Sequence, residues 1–326
     1  MPEPLAGDLH VDGLLSQISI ASYNQAEDYV ADKVFPIVPV GKQSDKYTVY
    51  DDGWFQADEG DSMRRAPGTE AHETGYKVTN TASYYCEPYA IGKGIPDEDR
   101  DNADAIFNLD FEATELVTQL TLLRRELAFA TDFMTTSVWN TDVTGGSSFT
   151  KWSDYGASDP LYDVEEGKRV VYGNINRNPN KLVIGDIVWR RLKYHPDIVD
   201  RVKYGGSTSA PARVTLEAVT QLLELEEILI GRASRRSSNE GAAVTKARVI
   251  DDDALLLWVP ARPGKYTPSG GYTFVWSKRI ANVNMPQFIM RYREDRKHRD
   301  VIECHTYFDQ KVTATKAGYF FSDVTD

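Results

Sequence analysis

"AIFNLDFEATELVTQLTLLRRELAFATDFMTTSVWN", residues 105–140, is the stretch on which the fold turns. From Leu109 onward, Ala113, Leu116, Leu120, Leu123, Leu127, Ala130 and Met134 recur at gaps of three and four, while Glu112, Glu115, Gln119 and Glu126 fall off that stripe. Residues three and four apart share a helix face, so the spacing predicts one amphipathic helix. If it runs from about Ala105 to Asn140 it spans roughly 50 Å at 1.5 Å per residue, whereas ordinary globular helices have about 11 or 12 residues. Such a helix outruns any single small core. Ahead of it, Gly92, Gly94 and Pro96 read as a hinge-like boundary, "DEDRD" (97–101) as an acidic loop and Asn102 or Asp104 as helix caps; "TGGSS" (144–148) reads as its end.

Upstream, the first 35 or so residues show no strong period, and Pro36 and Pro39 in "VFPIVPV" exclude helix, so this part reads as an extended arm. "KYTVY" (46–50) and "YKVTNTASYYCEPYAI" (76–91) alternate and are rich in aromatic and β-branched residues, which predicts strands. The polar segment between them, "DEGDSMRRAPGTEAHETG", is too long for a tight turn. Together they predict a long two-stranded arm with a flexible tip, and an isolated hairpin is marginal in water without a surface to cover it.

Downstream, Asp159 followed by Pro160 predicts a helix start. In "NKLVIGDIVWRRLKYHP" (180–196) an apolar strand ends in Gly185 and opens into a helix with Asp186 as its expected N-cap. A phosphate-binding turn needs several glycines, or a lysine and a hydroxyl, for backbone N–H groups to reach phosphates. Only Gly185 is present, so the joint reads as scaffolding. A short helix after Pro196, a loop at 205–213, a helix over 214–225 and strands at 226–231 and 254–260 complete an α/β region. "FIMRYRED" and "DVIECHTYFDQKVTAT" then predict strands joined by a charged turn, "RKHR".

With 41% hydrophobic residues and 26% charged, the 326-residue chain has the composition of an ordered globular protein. Its 37 Lys plus Arg against 49 Asp plus Glu give a formal charge of −12, which argues against a protein that grips nucleic acid through phosphates. Cys86 and Cys304 lack CxxC spacing, so no disulfide framework is expected. No basic leader and no run of about 18 apolar residues occurs, so neither export nor a membrane span is expected. His10, His72, His195, His298 and His305 show no HExxH spacing and no nucleophile partner. Cys304 and His305 point to opposite faces of a strand, which disfavours joint metal ligation. The acidic runs at 97–101 and 251–253 lack the twelve-residue calcium-loop pattern and read as solvated loops. No catalytic signature appears, so the expectation is a protein that is not an enzyme and carries no cofactor, catalytic residue or metal.

The order arm, long β-hairpin, long helix, α/β region and closing strands resembles that of tailed-bacteriophage major capsid proteins, the HK97-fold family. "VFPIVPVGKQSDKYTVYD", "RRAPGTE" and "NPNKLVIGDIVWRRLKYHPDIVDRVKY" look like one branch of phage coat sequences. The resemblance implies an α+β HK97-like fold: an N-terminal arm over 1–36, an E-loop β-hairpin over 37–95, a P-domain with the spine helix over 96–158, an A-domain over 159–286 and P-domain return strands over 287–326. It implies a structural coat protein that self-assembles as hexamers and pentamers into an icosahedral phage head around double-stranded DNA held without sequence-specific contact. Portal and decoration proteins are further implied partners, and no membrane is. With only about 35 residues ahead of the E-loop, scaffolding is expected from a separate protein. The implied location is the virion, after assembly in the host cytoplasm. An encapsulin-like nanocompartment shell and, further off, a cytoplasmic α/β enzyme are the alternatives. Within such a shell the arm tip, with Arg64 and Arg65, is expected to lie over a neighbouring subunit and meet spine-helix carboxylates such as Glu112 or Glu115.

Overall fold

The computed structural model describes residues 24–50, 58, 60–103, 108–205, 214–264, 267–278 and 286–326. The first 23 residues of the expected arm, with His10, the candidate cap Asp104 and residues 206–213 of the expected loop, lie outside them.

A single helical turn, α1 (Ala31–Val34), precedes β1 (Ile37–Val40), β2 (Ser44–Lys46) and β3 (Val49–Tyr50), and the chain returns through β4 (Val78–Thr79), β5 (Ser83–Tyr85) and β6 (Glu87–Pro96). Helices α2 (Asp97–Asn102) and α3 (Leu109–Phe133) lead to β7 (Thr141–Thr144). Then come α4 (Pro160–Ile175), β8 (Lys181–Gly185), α5 (Asp186–Leu192), α6 (Pro196–Gly205), α7 (Leu216–Leu222) and β9 (Glu227–Gly231). A small hairpin of β10 (Ser234–Arg236) and β11 (Lys246–Arg248) precedes β12 (Ala254–Leu257). β13 (Gly271–Trp276), β14 (Phe288–Glu294), β15 (Arg299–Val312) and β16 (Gly318–Ser322) end the chain.

Two sheets organise these elements. In the first, β15 pairs with β13 and β14 along one edge and β6 along the other, and β1 adds to β13 in parallel. Helix α3 lies across this sheet, with Ala113 and Val117 packed on Ile95, Ile302 and Cys304. The second sheet runs β7-β16-β12-β8-β9, and its core gathers Trp152, Leu182, Ile184, Leu256 and Phe321. A third cluster, with Phe35, Phe129 and Phe133 against Val183, Leu255 and Phe320, ties the two layers together.

Several expectations are corrected. Residues 37–40 form an edge strand of the first sheet, a place where the missing N–H of Pro39 is tolerated, instead of a loose extended arm. The predicted strand 76–91 divides: its start pairs within the arm, while Glu87–Pro96 joins the main sheet. Gly92 and Gly94 are therefore strand positions and not a hinge. A Cβ there would stand 2.7 Å from Glu303 Cγ and 2.9 Å from Arg299 Nη1, so their lack of side chain makes room for those neighbours. "DEDRD" is the helix α2, not a solvated loop. The long helix is shorter than expected, with 25 residues and about 37 Å. It is capped by the side chain of Asn108, which accepts from the Phe111 N–H, not by Asn102, and it ends at Phe133, well before the glycines at 145–146. The closing span 287–326 divides between sheets, because β16 inserts between β7 and β12 of the second one. Asp159 does cap α4, accepting from the Tyr162 N–H.

The strand-to-helix joint at Gly185 has a packing explanation. Gly185 itself stands at the cap position, and Asp186 is the first helical residue, not the cap. A Cβ on Gly185 would fall 1.7 Å from the backbone oxygen of Asp251, which no rotamer can relieve. Gly185→Ala is expected to destabilise the subunit by about 1–3 kcal/mol through this overpacking, read as a lower midpoint in urea.

Candidate assembly surface

The arm that leaves the first sheet is held by two short ladders, Ser44–Lys46 on Ser83–Tyr85 and Val49–Tyr50 on Val78–Thr79. Its base is anchored where Tyr84 stacks on Phe274 at 4.7 Å and Cys86 is fully buried, with burial pushing the thiol up to about 12. Beyond that base nearly every described arm residue is exposed, and at the tip a 3-10 turn over Gly60–Met63 leads into exposed Arg64 and Arg65. Among the described residues of this subunit, neither arginine is ion-paired to Glu112 or Glu115. Those two glutamates lie near the start of α3, Glu112 exposed and Glu115 half-buried.

The buried face of α3 is Ala113, Val117, Thr121, Arg125, Glu126, Phe129 and Phe133. It is rotated from the leucine stripe seen in the sequence, because small, polar and charged residues occupy much of the true contact. The leucines are left part-exposed, and Leu116 and Phe111 reach 40% and 65% exposure. Leu109, Ala113 and Leu116 floor a groove of about 130 Å³ whose polar lining includes Glu112, Asp99 and Lys93. This apolar floor is the outer margin of the core cluster that holds Ile95 and Ala113, with charged groups around it.

Sequence reasoning missed a second feature of α3. Glu126, expected off the buried stripe, is fully buried and accepts the N–H groups of Val30 and Ala31 at 2.8–3.1 Å. Burial raises its carboxyl to about 7, opposed by those two backbone hydrogen bonds and raised further by Asp32. Beside it Arg125 Nη2 meets Asp32 Oδ2 at 3.0 Å. Tyr29 donates to Gln119 at 3.1 Å, and Asn24 is bonded to Ser234 from both ends of its amide. The chain entering the subunit is thus fixed to α3 and to β10 by polar groups. A run of four-residue gaps through Val117, Thr121 and Arg125 was the only sequence signal.

One constellation looks catalytic and is not. Ser158 Oγ lies 3.0 Å from His195 Nε2, and Asp197 Oδ2 lies 3.7 Å from His195 Nδ1. The Asp197 N–H donates to Nδ1 at 3.3 Å, so the proton sits on Nε2 and is given to Ser158, whose own hydroxyl goes to the Asp154 carbonyl at 2.6 Å. A general base needs the opposite arrangement. His195 has no exposed surface, and burial lowers its pKa. Cys304 is a core residue, while His305 on the opposite face meets Glu303 at 3.0 Å. Among the described residues no group of three or more His, Cys, Asp or Glu is placed to hold a metal ion, and no helix is long and apolar enough to cross a membrane.

No family model matches the chain. It is 27% identical over 322 residues to the major capsid protein of Pseudomonas phage JBD67, covering 96% of each chain. It is 26% identical over 271 residues to the major capsid protein of Burkholderia phage BcepMu, covering 81% of this chain and 82% of that one. Among solved structures, a phage-related protein of Bordetella bronchiseptica RB50 superposes with a TM-score of 0.67 at 22% identity, covering 96% of this chain and 97% of that one. The capsid of Cyanophage P-SCSP1u gives 0.58 at 12% identity, covering 97% and 93%. The SrpI encapsulin of Synechococcus elongatus PCC 7942 gives 0.54 at 10%, covering 97% and 96%. Along nearly its whole length the chain is similar to phage major capsid proteins, and its fold is the α+β HK97-like one.

Proposed function

We propose that the chain is the coat subunit of an icosahedral phage head, assembling as hexamers and pentamers around double-stranded DNA in the host cytoplasm. The observation that carries this reading is the arm: beyond the base packed on Phe274, a ladder of only two residue pairs leads to a tip at which the described residues are exposed. Such a hairpin is marginal by itself and gains order from a neighbour. The part-exposed leucine face of α3 supplies the same kind of unfilled contact. In this reading residues 1–36 are the N-arm, the hairpin is the E-loop, the first sheet with α3 is the P-domain and the second sheet is the A-domain. A separate scaffolding protein, a portal and a decoration protein are its partners, and the role is structural, without catalysis.

Sedimentation and negative-stain microscopy of the purified subunit, with and without its scaffold, test the reading: closed shells support it, and monomer under every condition rejects it. The likeness to an encapsulin favours a second reading, a compartment for protein cargo. Shells isolated with protein cargo and without nucleic acid would establish that one instead.

Within the shell, Arg64 and Arg65 of one arm meet Glu112 or Glu115 of the neighbour's spine helix. An exposed pair contributes only about 0–1 kcal/mol, but a closed shell repeats it many times. Arg64→Glu with Arg65→Glu is expected to leave the monomer's circular dichroism and melting temperature unchanged while sharply reducing shell yield or salt resistance. Unaltered shells from the double variant would reject this contact.

A further inference from the structure

All five strands of the second sheet present one end together: β9, β8, β16 and β7 finish there, and β12 begins there. At about 4.8 Å between strands the row is roughly 19 Å wide. Its charges are sorted. On the β9 side, the buried carboxylate of Asp186 is met by Arg190 at 2.9 Å, Arg248 at 3.2 Å and Arg232 at 3.4 Å. Three guanidinium groups thus share one carboxylate. The β10–β11 hairpin extends this side with exposed Arg235 and Arg236, and its register sets Arg236 directly opposite Lys246. Arg236 is held within the hairpin by Ser238 Oγ at 3.0 Å and the Asn239 carbonyl at 2.9 Å, so its guanidinium is fixed on this side of the edge. Glu240, in the hairpin loop, is the one acidic residue between the two strands.

Toward β12, β16 and the C-terminus the sign reverses. Asp251, Asp252 and Asp253 precede β12, and Asp323 and Asp326 follow β16. Lys151 bridges Asp323 at 2.8 Å and Asp326 at 2.7 Å, and it lowers the Asp326 pKa, with a smaller contribution from Arg191. The Asp253 carboxyl is raised to about 6, first by burial and then by Asp252, Asp251 and Asp323, against a hydrogen bond from the Asp323 N–H. Excess cation and excess carboxylate therefore stand side by side on one edge of a protein whose net charge is −12.

We propose that this edge is a subunit contact: the arginine-rich β9 and β10–β11 side of one copy meets the Asp251–Asp252 side of the next. In the shell reading the next copy is the neighbour around the hexamer or pentamer, so the contact is head-to-tail and its rotation closes into a ring. Each copy relieves the crowded charge of the next, and the sorted edge fixes the direction of the ring. The inference rests on the shell reading and adds to it the surface that orders subunits within a ring. Phosphate groups of enclosed DNA are the competing partner for the arginines, but they leave the acidic half of the edge unanswered.

The test is a charge swap in the full chain. Arg235→Glu with Arg236→Glu, and separately Asp251→Arg with Asp252→Arg, keep Asp186 and its three arginines in place. Each pair is expected to leave the monomer folded by circular dichroism and to cut shell yield at least tenfold by sedimentation, whereas combining all four substitutions restores shells. Wild-type shells together with undiminished shells from either pair, or a combined variant no better than its parents, would overturn the contact while leaving the shell reading intact. Wild-type protein that never forms shells would remove the shell reading and this contact with it. Reversed variants that form normal shells but fail to retain DNA would also overturn it and assign the arginines to phosphate.

Discussion

Replacing Arg125 with methionine is expected to destabilise the subunit by about 1–3 kcal/mol, less than for a fully buried ion pair, because the Asp32 side chain keeps 34% of its surface. Arg125 is 2% exposed, and its Nη2 is 3.0 Å from Asp32 Oδ2. Asp32 already has a raised pKa, because burial outweighs the attraction of Arg125. With the cation gone, part-exposed Asp32 and buried Glu126 are two neighbouring carboxyl groups with only Lys33 and the backbone N–H groups of Val30 and Ala31 to balance them. The pair is also poorly satisfied, since Arg125 Nε and Nη1 and Asp32 Oδ1 have no hydrogen-bond partner among the described residues. Removing both members together is a different experiment, because replacing a whole buried pair by apolar groups is often neutral. Arg125→Met with Asp32→Leu should therefore recover most of the stability in urea titrations. A double variant as weak as the single one would show that Arg125 acts through packing and not through charge.

A second large effect is set by pH. The carboxyl of Glu126 is raised from 4.5 to about 7, chiefly by burial. Because the folded pKa lies above the unfolded one, the folded state keeps this proton over a range where the unfolded state has lost it. The resulting stabilisation is complete below about pH 4.5, declines as pH rises and is gone above about pH 7. At 1.36 kcal/mol per unit it amounts to about 3 kcal/mol. Glu126→Gln, neutral throughout, should flatten the dependence of stability on pH between these limits. A variant that keeps the wild-type slope would place the titrating group elsewhere, with Asp32 the next candidate because its pKa is shifted in the same direction.

The parts of this fold governed by local rules were legible in the sequence. Asp159 ahead of Pro160 announced α4, the alternation in 288–295 and 300–315 announced β14 and β15, and the apolar runs at 182–184 and 254–257 announced two central strands. What was hidden depends on partners distant in the chain. Residues 37–40 look like an arm until β13 is beside them, and residues 92–96 look like a hinge until β15 fills the space over their glycines. The helix was misread in rotation and not in kind, since leucine was taken as the mark of the core although Thr121, Arg125 and Glu126 occupy it. A buried glutamate that binds backbone N–H groups carries no pattern of its own. The proposed assembly surface was legible only as exposed arm and helix positions.

The central position of β15 bears on the order in which the subunit can form during synthesis. This strand is bonded to β13, β14 and β6. Nothing made earlier can substitute for it, so β6 waits about 200 residues for its partner. That is roughly 10–40 s at translation rates of about 5–20 residues per second. Until then α3 has no sheet beneath it and the arm no base. A nascent chain therefore cannot complete the first sheet, or the base on which its arm stands, until residues 299–312 have been made.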